Sequence, residues 1–126
     1  MIGYFEKTRV EDIIVERVNL GKVTLIESKV FWERLRDDIV EGNKKIIADL
    51  SSCKFIDSSL IGVIVRAQDL LHKNQGILKI VTPCNEILEI FELIKVSGNL
   101  NIYEILDDAV KSFNVKTQIG ELAVAW

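Results

Sequence analysis

An aspartate and two serines separate two apolar segments in the stretch FIDSSLIGVIV, which runs from Phe55 to Val65. Small polar residues directly ahead of an apolar-periodic run are typical of a helix start, where they cap free backbone N–H groups. The same N–H groups and the helix dipole favour an anion such as a phosphate. Asp57, Ser58 and Ser59 therefore have two interpretations. In the first interpretation, they only cap a helix. In the second, one of the two serines also accepts a modification.

Nucleophilic catalysis by these serines would need a base within hydrogen-bond reach. His72 is the only histidine. In a helix that starts at Ser58 it lies about 21 Å away, at about 1.5 Å per residue, which excludes a Ser–His pair within one chain. The sequence contains no HExxH, Walker A or GxGxxG motif. We therefore predict that the chain is not an enzyme.

Cysteine usage gives no sign of a metal or redox centre. Cys53 and Cys84 are the only two cysteines, and they lack the CxxC spacing of zinc or redox sites. We expect two reduced, buried thiols, with no metal and no cofactor.

Composition restricts the class of protein. A chain of 126 residues with 48% hydrophobic content is long enough for one domain with a packed core. The net charge of -3 is spread along the chain without a basic cluster, which argues against nucleic acid as a partner. The longest apolar run, Leu60 to Val65, is far shorter than the roughly 20 residues that span a bilayer. Because the first residues also lack the apolar core of a signal peptide, we expect a cytoplasmic protein.

Hydrophobic periodicity predicts a β-rich N-terminal third followed by alternating helices and strands. Strands are predicted at Tyr4 to Arg9, Ile13 to Val18 and Val23 to Leu25. A helix is predicted from Ser28 to Val40, and the buried pattern IIADL after EGNKK predicts the next strand.

The second half of the chain continues this alternation. SSLIGVIVRAQDLLHKN predicts a helix, whose apolar stripe consists of Leu60, Ile64, Ala67 and Leu71. ILKIV predicts a strand, and Thr82 as N-cap with Pro83 in the first turn predicts a helix from about Asn85 to Lys95. NIYEI and LDDAVKSF add a strand and a last helix. We therefore predict an α/β domain with a partly parallel sheet and helices packed against it.

The C-terminal residues 114–126 form an extension beyond the domain at 1–113. Its end, ELAVAW, is too apolar for an ordinary disordered tail. We expect this extension to pack on the domain or on a partner, and a second copy of the chain is one candidate partner, which would make a homodimer.

Several segments together resemble the STAS domain family, typified by bacterial anti-sigma factor antagonists. IIADLSSCKFIDSSLIGVIV resembles its signature of a strand, a short spacer and F-x-D-S-S-x-x-G. LGKVTLIES resembles the turn before its first helix, and QGILKIV, TPCNEILEIFELIKV and IYEILDDAV resemble later elements. The resemblance covers about residues 5 to 113. It implies a STAS-like mixed sheet of about four to five strands, with about four helices mainly on one face.

The resemblance also implies a protein–protein switch. In such antagonists the first serine after the aspartate is phosphorylated by a partner that is both a serine kinase and an anti-sigma factor. The unphosphorylated form binds that partner and frees the sigma factor. Transferred to this chain, the phosphoacceptor is Ser58, and Asp57 and Ser59 flank it at the contact surface. Thr24 and Leu60 also belong to this expected surface, at positions where the family commonly has an acidic residue and glycine.

Two other functions remain open on the sequence alone. A domain with this fold could use the crevice near Asp57 and Ser58 to bind a nucleotide, a lipid or another small ligand. It could also act as an assembly scaffold through the apolar C-terminal extension. A ligand retained through purification would favour the first, and a concentration-dependent mass in solution would favour the second.

Overall fold

The structure is a computed structural model that describes residues 4–94 and 100–114. Within these residues, the strands in chain order are β1 (Phe5–Val10), β2 (Ile13–Val18), β3 (Lys22–Val23), β4 (Lys45–Asp49), β5 (Phe55–Ile56), β6 (Ile77–Val81) and β7 (Asn101–Tyr103). The helices are α1 (Leu25–Val40), α2 (Ser58–Lys73), α3 (Asn85–Ile94) and α4 (residues 106–114). Of the predicted C-terminal extension at 114–126, residue 114 belongs to α4, and residues 115–126 lie outside the described residues.

Five of these strands form one mixed sheet in the order β1-β2-β4-β6-β7. β1 pairs with β2 in an antiparallel hairpin, and each later pair in the sheet is parallel. The inner strands β4 and β6 are buried almost throughout, as expected for parallel strands covered on both faces. The predicted partly parallel sheet of four to five strands is confirmed.

Helices cover the two faces of the sheet unequally. On one face, Ile14, Ile46 and Leu78 belong to a core that also contains residues of α1, α2 and α3. On the opposite face, Ala109 and Phe113 of α4 pack in a second core, whose strand residues are Ile13, Val15, Ile47 and Val81. Side chains alternate between faces along a strand, so each inner strand contributes to both cores. Four helices placed mainly on one face agree with the prediction.

A second, two-stranded parallel sheet was not predicted. β3 and β5 contain two residues each and pair so that Val23 faces Ile56. Two residues are too few for a periodic signal, so β5 was not predicted, and β3 was predicted only through its overlap with the strand expected from Val23 to Leu25. The backbone N–H of Asp57 donates to the Val23 carbonyl at 3.3 Å, which extends the pairing to the first residue after β5. This small sheet sets the starting points of α1 and α2 beside each other.

Helix α1 begins three residues earlier than predicted. Its N-cap is Thr24, whose backbone N–H donates to Glu27 Oε1 at 3.2 Å in a capping box. In the sequence, two apolar residues directly after Val23 resembled the end of a strand. In the structure, Leu25 and Ile26 are exposed on the first turn of the helix. The predicted strand from Val23 to Leu25 was therefore wrong after Val23, and the T-x-x-E spacing was the signal that would have corrected it.

The cap predicted for the third helix was also wrong. α3 begins at Asn85, and the Cys84 carbonyl accepts its first helical hydrogen bond from Leu88 N–H at 2.9 Å. Thr82 lies two residues earlier, where its hydroxyl oxygen accepts from the Cys84 N–H at 3.3 Å. Thr82 thus forms a turn that leads into the helix. Pro83 precedes the helix, and the predicted end at Lys95 lies outside the described residues.

A buried carboxyl pair lies between β2 and α1. Glu16 Oε1 accepts from Arg34 Nε at 2.9 Å, and Lys7 Nζ lies 2.6 Å from Asp38 Oδ1 and 3.6 Å from Glu16 Oε2. Both carboxyl groups are fully buried. Burial above all, followed by the hydrogen bond and the charge of Asp38, raises the pKa of Glu16 to about 8. Glu16 therefore keeps its proton near neutral pH.

Helix α2 packs closely against the turn that leads into β6. The predicted stripe of Leu60, Ile64, Ala67 and Leu71 is fully buried, which confirms that face of the helix. A Cβ atom at Gly76 would lie 2.5 Å from Leu71 Cδ1 and 2.7 Å from the Lys44 carbonyl oxygen. Glycine at residue 76 therefore permits the close approach of the turn to the helix.

We expect Gly76→Ala to lower the free energy of unfolding by about 1 kcal/mol or more, because the added methyl group has no room. Gly62→Ala is the matched control. Its Cβ atom would meet nothing within 4 Å, so the better helix propensity should raise stability by about 0.5–1 kcal/mol. Chemical denaturation of both variants measures the two effects, and equal changes would contradict the packing argument.

Among the described residues, none of the helices is both long and apolar enough to cross a membrane.

Candidate functional site

Two strand–cap–helix units lie side by side at the candidate site. β3 continues through Thr24 into α1, and β5 continues through Asp57 into α2. Because β3 and β5 pair in parallel with Val23 opposite Ile56, Thr24 and Asp57 follow on neighbouring strands. The N-termini of both helices, with their partial positive charge, therefore open toward the same side of the domain.

Asp57 is the N-cap of α2. Its backbone is extended, and its side chain accepts a hydrogen bond from the Ser59 N–H at 2.9 Å and another from the Ser59 hydroxyl. The hydroxyl bond above all, together with backbone N–H groups that include that of Leu60, lowers the pKa of Asp57 below its ordinary value. Asp57 is therefore a carboxylate in a fixed orientation at the start of the helix.

Ser59 connects the two helices. Its hydroxyl oxygen lies 3.2 Å from that of Ser28, within hydrogen-bond distance. Ser28 is buried in the first turns of α1, and Ser59 is half-buried. The Ser59 hydroxyl thus contacts two groups within the fold, the Asp57 carboxylate and the Ser28 hydroxyl of α1.

Ser58 has a different environment from Ser59. It is the first residue of α2 and is exposed to solvent. Among the described residues, its hydroxyl group has no hydrogen-bond partner. Of the two adjacent serines, Ser58 is therefore the one whose hydroxyl is accessible to a modifying enzyme.

The other two predicted site residues are placed differently. Thr24 is half-buried beside the N-terminus of α1, and its hydroxyl oxygen lies 3.2 Å from Glu27 Oε1. Leu60 is fully buried and belongs to the core stripe of α2, so its side chain points toward the sheet. Asp57, Ser58, Ser59 and Thr24 are thus brought together at the surface. Leu60 offers no exposed atom to a partner in this conformation.

A groove between α1 and α2 continues from this site and was not predicted. It encloses about 410 Å³. Ser28 and Ser59 line it near the caps, and its other walls are formed by Leu25, Lys29, Trp32, Gly62, Val63 and Arg66. The Arg66 guanidinium carbon lies 4.3 Å from the centre of the Trp32 ring. No local pattern in the sequence reveals this groove, because its walls belong to separate helices.

The structure offers no catalytic pair or metal cluster at this site. His72 lies near the far end of α2, which begins at Ser58, as predicted. No group of three or more potential metal ligands occurs among residues 4–94 and 100–114. Both cysteines are free, and Cys53 is buried as predicted, which raises its pKa to about 12. The prediction of a buried thiol was wrong for Cys84, which is only half-buried.

Comparison with known protein families gives one match that spans most of the chain. The STAS domain model matches residues 4–109. This range contains the complete main sheet, both helices of the candidate site and their caps.

A curated relative in Thermotoga maritima is provisionally named an anti-sigma factor antagonist. It is 25% identical over 111 residues, covering 85% of this chain and 95% of the relative.

Two solved structures of SpoIIAA are similar to this chain in fold. One is the anti-sigma factor antagonist in its unphosphorylated form, with a TM-score of 0.69 and 16% identity, covering 86% of this chain and 94% of the other. The other is the Bacillus cell fate determinant in its phosphorylated form, with a TM-score of 0.70 and 16% identity, covering 86% and 98%. The phosphorylated and unphosphorylated forms of SpoIIAA resemble this chain equally well.

Proposed function

Since this chain belongs to the STAS domain family, we propose that it is an anti-sigma factor antagonist controlled by phosphorylation of Ser58. The observation that carries this proposal is the contrast between two neighbouring serines. Ser59 is engaged by Asp57 and Ser28, whereas Ser58 is exposed on the first turn of α2.

In the proposed cycle, the unphosphorylated chain binds a protein that is both an anti-sigma factor and a serine kinase, and a sigma factor is released. The kinase then transfers a phosphoryl group from ATP to the Ser58 hydroxyl, whose proton is lost, and ADP leaves. The product carries roughly −1.5 to −2 additional charges beside the Asp57 carboxylate. That change turns a mildly acidic surface into a strongly acidic one and ends binding.

In this proposal the chain is a substrate and regulator, without catalytic activity of its own and without direct contact to nucleic acid. We place it in the cytoplasm, where sigma factors act. Asp57, Ser59 and Thr24 surround Ser58 at the proposed contact surface, and the ends of two helices there favour a phosphate. Leu60 supports this surface from the core.

The proposal is tested with purified components. Each serine-kinase anti-sigma factor encoded in the same genome is incubated with this chain and ATP, and the mass of the chain is measured. A gain of one phosphate with one of these kinases is the expected result. A chain that neither gains a phosphate nor binds any of them would refute the proposal.

We predict that this phosphate is attached to Ser58 and not to Ser59. The Ser59 hydroxyl would have to leave both of its partners before it could attack ATP, whereas the Ser58 hydroxyl is accessible. Peptide mapping by mass spectrometry identifies the residue. Ser58→Ala should abolish the modification, and Ser59→Ala should retain it. Phosphate on Ser59, Ser51 or Ser52 would contradict the assignment.

A further inference from the structure

Three exposed residues of α2 form a stripe that begins at the proposed phosphoacceptor. Ser58, Gly62 and Arg66 are spaced four residues apart and are all exposed. Residues at this spacing lie on one helix face, and about 1.5 Å per residue places Arg66 about 12 Å from Ser58. Gly62 and Arg66 line the α1–α2 groove, and Ser59, the neighbour of Ser58 in the chain, lines its end near the caps.

The groove combines apolar walls with positive charge. Leu25, Trp32 and Val63 provide apolar surface, and Leu25 is 56% exposed despite its size. Lys29 and Arg66 contribute two cations, and none of the residues lining the groove is acidic. The chain as a whole carries 19 acidic and 16 basic residues. The groove is therefore a local positive region on a net negative protein.

Arg66 is held at the groove by its aromatic neighbour. Its guanidinium group lies over the Trp32 ring, where the attraction between cation and ring limits its motion. Such a guanidinium keeps N–H donors available for a carboxylate. The groove thus presents an oriented cation at one end and Ser58 near the other.

We propose that this groove binds a segment of the anti-sigma factor that has an apolar side chain and a nearby carboxylate. This inference rests on the proposed function. A specific interface covers about 800 Å² on each partner, so a protein that covers Ser58 also covers the adjoining turns of α2. The apolar side chain would fill the space beside Gly62, and the carboxylate would pair with Arg66 or Lys29.

This arrangement explains how one modification reduces the affinity of a larger surface. An acidic segment that is attracted by Arg66 and Lys29 would lie alongside Ser58 on the same stripe. A phosphate at Ser58 would repel that segment while the cations remain unchanged. The interaction then changes from complementary to partly repulsive along one helix face.

Two substitutions test the groove without touching the capping residues. Gly62→Leu fills the space beside Val63, and nothing lies within 4 Å of the Cβ position, so the fold should accept it. Arg66→Glu reverses the charge. We expect each to weaken binding of the purified anti-sigma factor about fivefold, and the Arg66→Glu loss should shrink in high salt. Lys73→Glu, an equal charge reversal on exposed α2 surface outside the groove, should leave affinity unchanged.

The fluorescence emission of Trp32 measures directly whether the anti-sigma factor binds in the groove. The chain contains two tryptophans, so Trp126→Phe leaves Trp32 as the single fluorescent one in this chain. Binding of an anti-sigma factor whose own tryptophans have been replaced should change Trp32 emission, because the segment would cover the groove. Unchanged emission upon saturated binding would overturn the inference.

Ser58→Glu separates this inference from the proposed function. If Ser58→Glu weakens binding while Gly62→Leu and Arg66→Glu do not, the groove inference fails and the proposed function stands. If Ser58→Glu also has no effect, the proposed function itself fails. Native mass spectrometry of the purified chain gives a further check. A small molecule retained by the parent and lost in Gly62→Leu, with partner affinity unchanged, would make the groove a ligand site and overturn the inference.

Discussion

Ser58→Glu is expected to weaken binding to the anti-sigma factor kinase at least tenfold, or about 1.4 kcal/mol. Asp57 already places one fixed carboxylate at this surface. A second one would enter an interface shaped for a neutral hydroxyl, where desolvating an unpaired charge is costly. Glutamate carries one charge and lacks the phosphate geometry, so the loss for the phosphorylated chain should be larger.

The fold should tolerate Ser58→Glu, because acidic side chains are favourable in the first turn of a helix. Ser58→Ala is the control, with nearly normal binding and no phosphorylation. Titration calorimetry measures both affinities, and thermal unfolding checks the fold. Equal binding by the two variants would mean that the switch does not act through Ser58.

Glu16→Gln is expected to remove a large pH dependence of stability. The pKa of Glu16 is raised from 4.5 to about 8 by burial and by Asp38. Between these values the unfolded chain has lost the proton and the folded chain keeps it. The contribution of Glu16 to the free energy of unfolding is therefore fully present below about pH 4.5. It falls as pH rises and is lost above about pH 8.

The glutamine side chain mimics the protonated carboxyl group, since it can accept from Arg34 and donate to Asp38, and it does not titrate. We expect the free energy of unfolding of Glu16→Gln, relative to the parent, to rise by roughly 3 kcal/mol between pH 5 and pH 9. Urea unfolding at several pH values measures this difference. Asp38→Asn removes one cause of the shift and should weaken the parent's pH dependence. A difference between Glu16→Gln and the parent that stays constant with pH would contradict the argument.

The start of α2 could be predicted from sequence because its signals are local. An aspartate and two serines ahead of an apolar run define a cap and a first turn within a few residues, and the buried stripe from Leu60 to Leu71 fixes which face packs on the sheet. The choice between Ser58 and Ser59 came from the family resemblance. The structure adds a physical difference between them, because the hydroxyl of Ser28, about thirty residues earlier in the chain, lies within hydrogen-bond distance of the Ser59 hydroxyl.

Features made by distant segments could not be predicted. The β3–β5 pair joins residues more than thirty positions apart, and neither strand is long enough to have a period. The α1–α2 groove depends on which faces of α1 and α2 lie next to each other. The sequence of one helix does not specify which face of another helix packs beside it. Leu60 was predicted both in the buried stripe of α2 and, from the family resemblance, at the contact surface. The packing of α2 on the sheet confirms the buried position.

The hydrogen bonds at the start of α2 have a consequence for the timing of the proposed switch. Asp57, Ser59 and Ser28 hold the cap together without the Ser58 hydroxyl, so adding or removing a phosphate breaks no bond of this network. The chain would then need no slow rearrangement after each modification. Its response time would equal the time taken to add or remove the phosphate, and its binding state would not depend on earlier modifications.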